Sequence, residues 1–495
     1  MPAGSAAITA GETPMICVSL TSTDLDKLAA DVRKAAAVAD VIEIRLDYVS
    51  VNVDIGPILA NKPKPIIVTC RRVADGGRYD GDDRVRMGAL EKAARQGADL
   101  IDVELDAASE LRDVPARRIV SYHNFRETPR NLAAIHRQCA ETRPDIIKLA
   151  VKANSQLDNL RIFELLRTTN LPTAAFCMGE LGIVSRIIGR KFGSRITYAA
   201  LAPGMESAPG QIAAADLLRL YRYNRISPAT AVYGVIANPV AHSMSPAIHN
   251  AAFEAAGIDA VYLPFKVDDP VEFVNACKAI DVQGYSVTIP HKESIMPAMD
   301  EIDPVAKSIG AMNTVVNRGG RLLGYNTDYM AAVGCLEDVT GLDGKSALMI
   351  GAGGAARAIA FGLKQKNVKM TVADIMPDKA RKLAEDAGCE WSTMDDLGTP
   401  SADIFINASP AGMHPNVDSS AIPREWLKPD CVVFDVVYNP IETRLLREAR
   451  AARCRTVSGL DMFVRQAVAQ FEMWTGQQAP VDVMADIVRR RLTGG

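Results

Sequence analysis

The sequence lacks most of the features that mark secreted, membrane-spanning and nucleic-acid-binding proteins. Its nine cysteines are scattered singly, with no Cys-x-x-Cys pair, which indicates reduced thiols rather than a disulfide framework. No apolar run approaches the ~18 residues needed to cross a bilayer. There is no basic run, and the formal net charge is −3, which argues against nucleic acid or an anionic membrane as the main partner. We therefore expect a cytoplasmic protein.

The N-terminus has no signal-peptide pattern. The opening MPAGSAAITAGETP contains neither a basic segment nor a long apolar core, and we expect a disordered leader over residues 1–13. The chain as a whole has the composition of an ordinary folded protein, with 48% hydrophobic and 23% charged residues. Its length allows roughly three domains of ~150 residues.

The first 200 residues alternate short apolar segments with amphipathic ones. Most of the apolar segments are short and rich in β-branched residues, which is typical of strands buried on both faces. Helical patterns lie between most of them, and the first, TDLDKLAADVRKAAA, has Thr23 as its expected N-cap. Eight strands alternating with helices predict an α/β fold, the (β/α)8 TIM barrel. The strands are expected at 15–20, 41–46, 65–70, 100–105, 118–123, 145–150, 173–178 and 196–201.

The second half of the chain predicts a further α/β arrangement. After the linker-like YRYNRISPAT, the strand AVYGVIANPV precedes a helix, SPAIHNAAFEAAG, with Ser245 as its expected N-cap. NTVVNRGGRLLGYNTD predicts a hairpin that turns at Gly319-Gly320. KSALMIGAGGAARAIAFGLKQ has the strand, glycine turn and helix of a Rossmann unit, and the C-terminal MFVRQAVAQFEMW is an amphipathic helix.

Charged side chains are expected at the C-terminal ends of the barrel strands, where barrel enzymes carry their active sites. The most unusual is Lys148, inside the apolar strand DIIKLA, because a buried lysine normally needs a partner. Together these charges are hard to explain as scaffold, since a core gains nothing by burying them. They are Glu43, Arg45, Asp47, Arg71, Glu104, His123, Lys148 and Arg186.

These residue types predict carbonyl chemistry on an anion. Two arginines in one cavity favour a substrate that carries a carboxylate. A lysine among cations would stay a neutral amine that can form a Schiff base with a ketone. His123 could then remove a proton from the adjacent carbon, oriented by Glu104. The structural alternatives are an ion-paired Lys148, a hydrogen-bonding His123 and a salt-bridge network at EIRLD; a Schiff-base aldolase barrel is a further possibility.

Seven motifs of this half point to one family: EIRLD, TCRRVADGG, DVEL, SYHNF, IIKLA, CMGELGIVSR and SAPGQI. Over roughly residues 14–220 the chain resembles type I 3-dehydroquinate dehydratase. The resemblance implies Lys148 as the Schiff-base lysine, His123 as the general acid/base and Glu104 as its orienting partner. It implies substrate binding by Glu43, Arg45, Arg71, Arg186, Ser207 and Gln211. The family usually has Glu-Gly-Gly where this chain has Asp75-Gly76-Gly77.

The resemblance also implies a metal-free enzyme. The six histidines of the chain form no His-Glu-x-x-His motif and no Cys/His ligand spacing.

GAGGAA, residues 351–356, fits the G-x-G-x-x-A turn that holds a pyrophosphate at a helix N-terminus. Asp374 ends the next strand, 20 residues after Gly354, which is the spacing of a carboxylate that binds the ribose 2′-hydroxyl. Such a carboxylate favours NAD, because it would repel the 2′-phosphate of NADP. A helix cap or a solvated loop position is the alternative for Asp374.

The segment before this turn offers polar candidates for a substrate site. HSMSP contains Ser243 and Ser245, VTIPHK contains Lys292, and GYNTD contains Asp328. Helix capping by the serines and a solvated lysine are the plainer alternatives. With GAMNTVV, NASPAGM, DVVYNP and RQAVAQFEMW, these motifs resemble shikimate dehydrogenase from about residue 231 to residue 495.

This second resemblance implies that Lys292 and Asp328 move a proton to or from the reacting oxygen while NAD(P)H carries hydride. It implies substrate binding by Ser243, Ser245, Thr288, Asn313, Tyr438, Gln466 and Gln470. It implies cofactor binding by Gly351, Ala352, Gly353, Gly354, Ala355, Asp374, Asn407, Ser409, Gly459 and Met462. Many family members have Asn-Arg-Thr, whose arginine grips the NADP phosphate, where this chain has Asp374-Ile375-Met376.

We therefore expect a bifunctional enzyme of the shikimate pathway, a lyase and an oxidoreductase of aromatic amino acid biosynthesis. It would dehydrate 3-dehydroquinate to 3-dehydroshikimate and reduce that product to shikimate with NADP or NAD. An NAD-dependent quinate/shikimate dehydrogenase of catabolism and a catalytically dead metabolite-sensing regulator are the alternatives. The expected domains are the leader 1–13, the barrel 14–222, a linker 223–230, a substrate domain 231–329, a Rossmann domain 330–462 and C-terminal helices 463–495 that return to the substrate domain.

Overall fold

The computed structural model describes residues 15–493, so the expected leader lies outside the described residues. The chain forms two compact units. The first comprises the residues up to Ala231 together with Asp259–Ile280, and the second comprises Val232–Ile258 together with the residues from Asp281 onward. Within residues 15–493, none of the helices combines the length and the hydropathy required to traverse a bilayer.

Eight parallel strands of the first unit form a nearly closed barrel. In the sheet each strand lies beside its neighbour in sequence, and β1 also pairs with β8. At the remaining seam, between β7 and β8, the Arg195 amide donates to the Thr173 carbonyl at 2.8 Å. The predicted barrel is therefore confirmed. The strands are β1 Met15–Leu20, β2 Val41–Arg45, β3 Ile66–Thr69, β4 Leu100–Glu104, β5 Arg117–Asn124, β6 Ile146–Lys152, β7 Thr173–Met178 and β8 Ile196–Ala200.

The helices of the barrel lie in most of the connections, but β4 and β5 are joined by only a single 3₁₀ turn, at Leu105–Ala107. The first helix corrects one expectation. Asp24, not Thr23, is its N-cap, because the Asp24 carboxylate accepts from the Lys27 amide at 2.8 Å. The helices are α1 Leu25–Ala35, α2 Leu46–Val49, α3 Gly56–Ala60, α4 Asp83–Arg95, α5 Leu132–Glu141, α6 Leu157–Thr168, α7 Ile183–Ile188 and α8 Ala214–Arg219.

The next hundred residues contain six strands and four helices. Strand β11 runs parallel to β9 and antiparallel to β13, and the β13–β14 hairpin turns at Gly319-Gly320 as expected. The elements are β9 Ala231–Ala237, α9 Ser245–Ala255, β10 Ala260–Lys266, α10 Pro270–Ala276, β11 Val282–Val287, β12 Glu301–Ile302, α11 Pro304–Ile309, β13 Thr314–Arg318, β14 Arg321–Tyr325 and α12 Thr327–Glu337.

Two local details of this segment differ from the expectation. Ser245 is the first residue of α9 rather than its N-cap, and the hydroxyl of Ser243 accepts from the Ser245 amide at 3.3 Å. Strand β10 and helix α10 belong to the first compact unit. There Lys266 forms an ion pair with Glu180 at 2.6 Å.

A parallel six-stranded sheet completes the second unit, in the order β17-β16-β15-β18-β19-β20. The strand order reverses between β15 and β18, and ligands of such sheets bind in the crevice at this point. The elements are β15 Ser346–Ile350, α13 Gly354–Lys364, β16 Lys369–Ala373, α14 Pro377–Ala387, β17 Glu390–Ser392, β18 Ile404–Asn407, β19 Val432–Asp435, α15 Arg444–Ala451, β20 Arg455–Ser458, α16 Gly459–Thr475 and α17 Val481–Thr493.

The packing of α16 on β11 gives a test of the second unit. A Cβ atom added to Gly284 would lie 2.3 Å from the indole nitrogen of Trp474, whose N–H donates to the Val315 carbonyl at 2.9 Å. We expect Gly284→Ala to lower the free energy of unfolding of this unit by about 1–3 kcal/mol, the usual cost of overpacking. Because all three tryptophans, at 391, 426 and 474, lie in the second unit, tryptophan fluorescence during urea denaturation measures it selectively.

The matched control is Gly341→Ala, because the space around the added methyl is open there. Equal denaturation midpoints for the two variants would show that the contact of Gly284 with Trp474 does not limit packing.

Candidate active sites

A cavity opens at the C-terminal ends of the barrel strands, and most of the expected residues of the first site line it. The phenyl ring of Phe125, the ring of Tyr198 and the side chain of Met178 complete its wall. Glu104 is the exception, because it lies behind the cavity surface. The expected residues in the lining are Glu43, Arg45, Arg71, His123, Lys148, Arg186, Ser207 and Gln211.

The closest charged groups to the amine of Lys148 are carboxylates. Its Nζ lies 2.9 Å from Asp102 Oδ2 and 3.6 Å from Glu43 Oε1, and 3.8 Å from the ring centre of Tyr198. The expected surroundings, dominated by cations, are therefore wrong. In this structure the amine is held as one partner of a buried ion-pair network, and it must give up a proton before it can act as a nucleophile.

Asp102 is a site residue that the sequence analysis missed. It is fully buried and forms ion pairs with both Lys148 and Arg71, the latter at 2.8 Å. Burial alone would raise its pKa, but the charges of Arg71 and Lys148 outweigh burial and hold that pKa below its usual range. The sequence could have indicated Asp102, because Asp102 and Glu104 in LIDVEL are two residues apart and therefore face the same side of β4.

The carboxylate of Glu104 is bound by two arginines in this structure. Its Oε1 accepts from Arg71 at 2.8 Å, and its Oε2 pairs with the fully buried Arg86. The Nδ1 atom of His123 has no hydrogen-bond partner among the described residues. The structure shows no hydrogen bond between Glu104 and His123, since two arginines occupy the carboxylate of Glu104, and the orienting role stays a prediction.

His123 is poised as a neutral base. Burial, followed by the nearby positive charges of Arg71 and Lys148, holds its pKa well below the ordinary value. Its ring stacks on Phe125, with the two planes 11° apart. A neutral imidazole beside a lysine can accept a proton from a substrate bound between them.

The three arginines of the cavity differ in how they are paired. Arg45 is bound by both oxygens of Asp47, at 2.8 and 2.7 Å, and Arg71 is bound by Asp102 and Glu104. Arg186 instead contacts backbone carbonyls and the face of the Phe176 ring.

Arg186 has no carboxylate partner among the described residues. Burial lowers its pKa to about 10. A buried cation without a counter-ion is costly, and an anionic ligand in the cavity would supply one.

The loop Asp75-Gly76-Gly77 lies against the cavity. Gly76 has a left-handed φ of +77°, and a Cβ atom there would lie 2.1 Å from the ring of Phe125. Asp75 lines the cavity, but its carboxylate is bound by Arg72 at 2.8 Å. The shorter Asp75, where the family usually has glutamate, is therefore tied back to its own loop.

A second cavity, of about 500 Å³, lies in the second compact unit. At its wall Lys292 Nζ lies 2.6 Å from Asp328 Oδ2, and the amide of Asn313 donates to Asp328 Oδ1 at 2.9 Å. The expected pair is thus in contact. The other expected residues in the lining are Ser243, Ser245, Thr288, Asn313, Tyr438, Gln466 and Gln470, together with Ala355, Gly459 and Met462.

The glycine turn after β15 has the geometry of a phosphate-binding loop. Gly351 has φ +114°, and a Cβ atom there would lie 2.6 Å from the carbonyl group of Ala408, so only glycine fits. Gly353 precedes α13, which begins at Gly354. The helix N-terminus therefore faces the crevice between β15 and β18, where a pyrophosphate can be held.

Asp374 is used by the backbone in this structure. Its Oδ2 accepts from the Ala352 amide and its Oδ1 from the Met376 amide, both at 2.8 Å. Asp374 thus braces the loops around it, a role that differs from the helix cap and the solvated position considered as alternatives. It leaves room for a ribose contact, because each carboxylate oxygen can accept a second hydrogen bond.

Asn407 and Ser409 form a structural turn. Asn407 is fully buried and donates to Asp435 Oδ1 and the Ala411 carbonyl, while its own oxygen accepts from the Ser409 hydroxyl at 2.7 Å. The side chain of Asn407 therefore shapes the loop after β18 rather than facing the cavity.

Comparison with known proteins agrees with this division of the chain. Residues 16–228 match the model of type I 3-dehydroquinase. Residues 235–315 match that of the shikimate dehydrogenase substrate binding domain, and residues 459–489 that of the shikimate 5′-dehydrogenase C-terminal domain. The fold and these matches define a two-part enzyme, a barrel lyase followed by a Rossmann-type oxidoreductase.

The same pairing occurs in a full-length relative. The bifunctional 3-dehydroquinate dehydratase/shikimate dehydrogenase, chloroplastic, of Arabidopsis thaliana is 39% identical over 96% of this chain and 84% of its own. The chain belongs to the bifunctional 3-dehydroquinate dehydratase/shikimate dehydrogenase family. It is an enzyme of two activities in the shikimate pathway, which supports the biosynthetic interpretation over the catabolic and regulatory alternatives.

Single-function relatives match the second half. The shikimate dehydrogenase (NADP(+)) of Moorella thermoacetica is 41% identical over 54% of this chain and 96% of its own. The crystal structure of shikimate 5-dehydrogenase from Listeria monocytogenes, in complex with shikimate and NAD, is 35% identical over 53% of this chain and 98% of its own, with a TM-score of 0.51.

The neutral state of His123 can be measured directly. In the full chain labelled at histidine, we expect the His123 ring to remain neutral as the pH falls below about 6.5, the ordinary midpoint, because its pKa is lowered by burial and by Arg71 and Lys148. NMR titration of the six histidines, with His123→Gln to assign the resonance, makes the measurement. A His123 midpoint at or above the ordinary value would contradict this electrostatic account.

Proposed function

We propose that Lys148 forms an imine with the ketone of 3-dehydroquinate and that His123 transfers the protons. The single observation that carries the proposal is the placement of Lys148, His123 and Arg186 in one cavity at the strand ends. Asp102, 2.9 Å from the amine, pairs with the ammonium, whose proton must be lost before the imine can form. The amine then attacks the ketone carbon, and water leaves as the imine forms.

The imine draws electrons from the adjacent carbon, so its proton becomes removable. In the proposed step His123 takes that proton, and it then protonates the hydroxyl on the next carbon, which leaves as water. Hydrolysis of the imine releases 3-dehydroshikimate and regenerates the amine. Arg186 is proposed to bind the substrate carboxylate, because it is the cavity arginine that no described carboxylate pairs with. Glu43, Arg45, Arg71, Ser207 and Gln211 are proposed to hold the ring.

In the second half we propose that Lys292 and Asp328 exchange the proton of the reacting oxygen while hydride moves between the substrate carbon and the nicotinamide. Their separation of 2.6 Å and shared place on the cavity wall support this role. Ser243, Ser245, Thr288, Tyr438 and Gln466 are proposed to bind the carboxylate and hydroxyls of shikimate. The turn at residues 351–355, with Gly459 and Met462, is proposed to hold the cofactor. Neither reaction is proposed to use a metal.

We propose a preference for NAD over NADP. The segment after β16 carries the acidic Asp374 followed by Ile375 and Met376, which offer no positive charge to a 2′-phosphate. Relatives exist of both kinds, since the Moorella enzyme is named for NADP and the Listeria structure contains NAD. Oxidation of quinate with NAD is the second candidate function, because the carboxylate of Asp374 favours the cofactor that this reaction uses.

We also propose the domain boundaries given above, at 14–222, 231–329, 330–462 and 463–495, with small-molecule substrates as partners and no role for nucleic acid or a membrane. A cytoplasmic location is proposed from the nine cysteines, none of which forms a disulfide in the described structure, although the Arabidopsis relative is named as chloroplastic.

Lys148→Ala tests the first proposal. We expect dehydratase activity to fall on the order of 10⁴-fold or more, because the nucleophile is lost, and shikimate oxidation by the same chain to be unchanged. Borohydride added to the wild-type enzyme with 3-dehydroquinate should reduce the imine to a secondary amine, which peptide mass spectrometry would locate at Lys148. Lys152→Ala is the matched control, since Lys152 is an exposed lysine of the same strand. Near-normal dehydratase activity of the Lys148 variant would refute the imine assignment.

Asp374→Asn tests the cofactor proposal. We expect the ratio of kcat/KM for NAD to that for NADP to fall by about tenfold or more, since a like-charge contact with the 2′-phosphate is removed. The control is Asp378→Asn, an exposed carboxylate that pairs with Arg381. Both enzymes are assayed with shikimate and with quinate. A wild-type enzyme that already prefers NADP would show the proposal to be wrong, and a preference for quinate with NAD would establish the second candidate.

A further inference from the structure

The orientation of the Asn313 side chain is determined by the backbone. Its Oδ1 accepts from the Thr327 amide at 2.7 Å and from the Thr314 hydroxyl at 2.8 Å. An N–H group can only donate, so the atom that faces Thr327 must be the oxygen. The amide nitrogen of Asn313 is therefore turned toward Asp328, to which it donates at 2.9 Å.

The hydroxyl of Thr314 has a fixed direction as well. Gln470 Nε2 lies 3.1 Å from Thr314 Oγ1 and 3.2 Å from the Asn313 carbonyl. Because Nε2 carries only donors, Thr314 Oγ1 accepts there, and its single proton goes to Asn313 Oδ1, which at 2.8 Å is nearer than its other oxygen neighbour, Thr327 Oγ1 at 3.2 Å. Gln470 is itself oriented by Ser286, whose hydroxyl donates to Gln470 Oε1 at 2.7 Å.

These contacts form one directed chain of hydrogen bonds that links β11, α16, β13 and α12. It runs from Ser286 on β11 through Gln470 on α16 to Thr314 on β13, and on to Asn313 and Asp328. Ser286, Thr314, Asn313 and Gln470 are all buried, where a polar group left without a partner costs about 1–3 kcal/mol. Turning any one of these groups around would leave its neighbour without a hydrogen-bond partner, so the chain of hydrogen bonds stabilises a single orientation of each group.

We propose that Thr314 and Gln470 are positioning residues for the dehydrogenase reaction. They hold the Asn313 amide toward Asp328 and thereby keep the Asp328 carboxylate in line with Lys292. This inference rests on the proposed function, in which Lys292 and Asp328 move the proton. It changes the role expected for Gln470, because both ends of its amide are occupied within the protein, and the residue acts on the catalytic pair without binding substrate.

Thr314→Val tests the proposal, because valine has the shape of threonine and lacks the hydroxyl. Asn313 Oδ1 then keeps its bonds from the amide and the hydroxyl of Thr327 but loses the one from Thr314, so the amide nitrogen of Asn313 is held less firmly against Asp328. We expect kcat for shikimate oxidation to fall by about tenfold or more, while KM for shikimate changes by less than about threefold, since the groups proposed to bind substrate are intact. Thr314→Ser restores the hydroxyl and is expected to recover most of kcat.

The dehydratase activity of the same chain measures the concentration of intact enzyme in every preparation, and tryptophan fluorescence reports on the folding of the second unit. Thr475→Val is the matched control. Its hydroxyl donates to the Phe471 carbonyl within α16, outside the directed chain, and we expect both activities to be unchanged.

A double-mutant cycle separates this inference from the proposed function. In an Asp328→Asn background, Thr314→Val should lower the residual rate no further, because the residue acts through Asp328. A full additional loss in that background, an unchanged kcat for Thr314→Val, or a failure of Thr314→Ser to restore kcat would each overturn the positioning role. A normal kcat for Asp328→Asn alone would instead refute the proposed catalytic pair.

Discussion

The organisation of the barrel end depends on one constraint, the need to balance charges that are removed from water. Lys148 and Arg71 are paired with Asp102, Glu43 and Glu104 at distances of 2.8 to 3.6 Å. Removing one member of such a buried set leaves its partner uncompensated, at a cost of about 3–5 kcal/mol. The charges therefore fix one another in place, and the strand ends that carry them are fixed with them.

In the proposed reactions both sites move protons beside a carbonyl, and the structure surrounds their lysines in different ways. In the barrel the side chain of Lys148 is only 6% exposed, and ion pairs hold its amine. In the second unit the side chain of Lys292 is 33% exposed. Its one carboxylate partner, Asp328, accepts a hydrogen bond from the neutral amide of Asn313. Ion pairs can control the charge of a nucleophile, whereas a chain of amides and hydroxyls can fix the orientation of a carboxylate without adding charge.

Much of this could be predicted from the sequence, and the limits have physical causes. The strands followed from short apolar runs, and Lys148 stood out because a charge interrupts one of them. Period-two alternation could show that Asp102 and Glu104 share a face, but not which of them reaches Lys148, because that depends on the width of the barrel and on competing arginines such as Arg86. The shift of the first cap from Thr23 to Asp24 is within the usual uncertainty of helix ends.

The unpaired guanidinium of Arg186 has a consequence for how this chain can evolve. A leucine at the same position would pack against Phe176 without a buried charge, and replacements of this kind often leave a fold as stable or more stable. A substitution that made the fold more stable in this way would remove the positive charge that an anion in the cavity would pair with. Stability and ligand binding therefore place opposite demands on this one side chain.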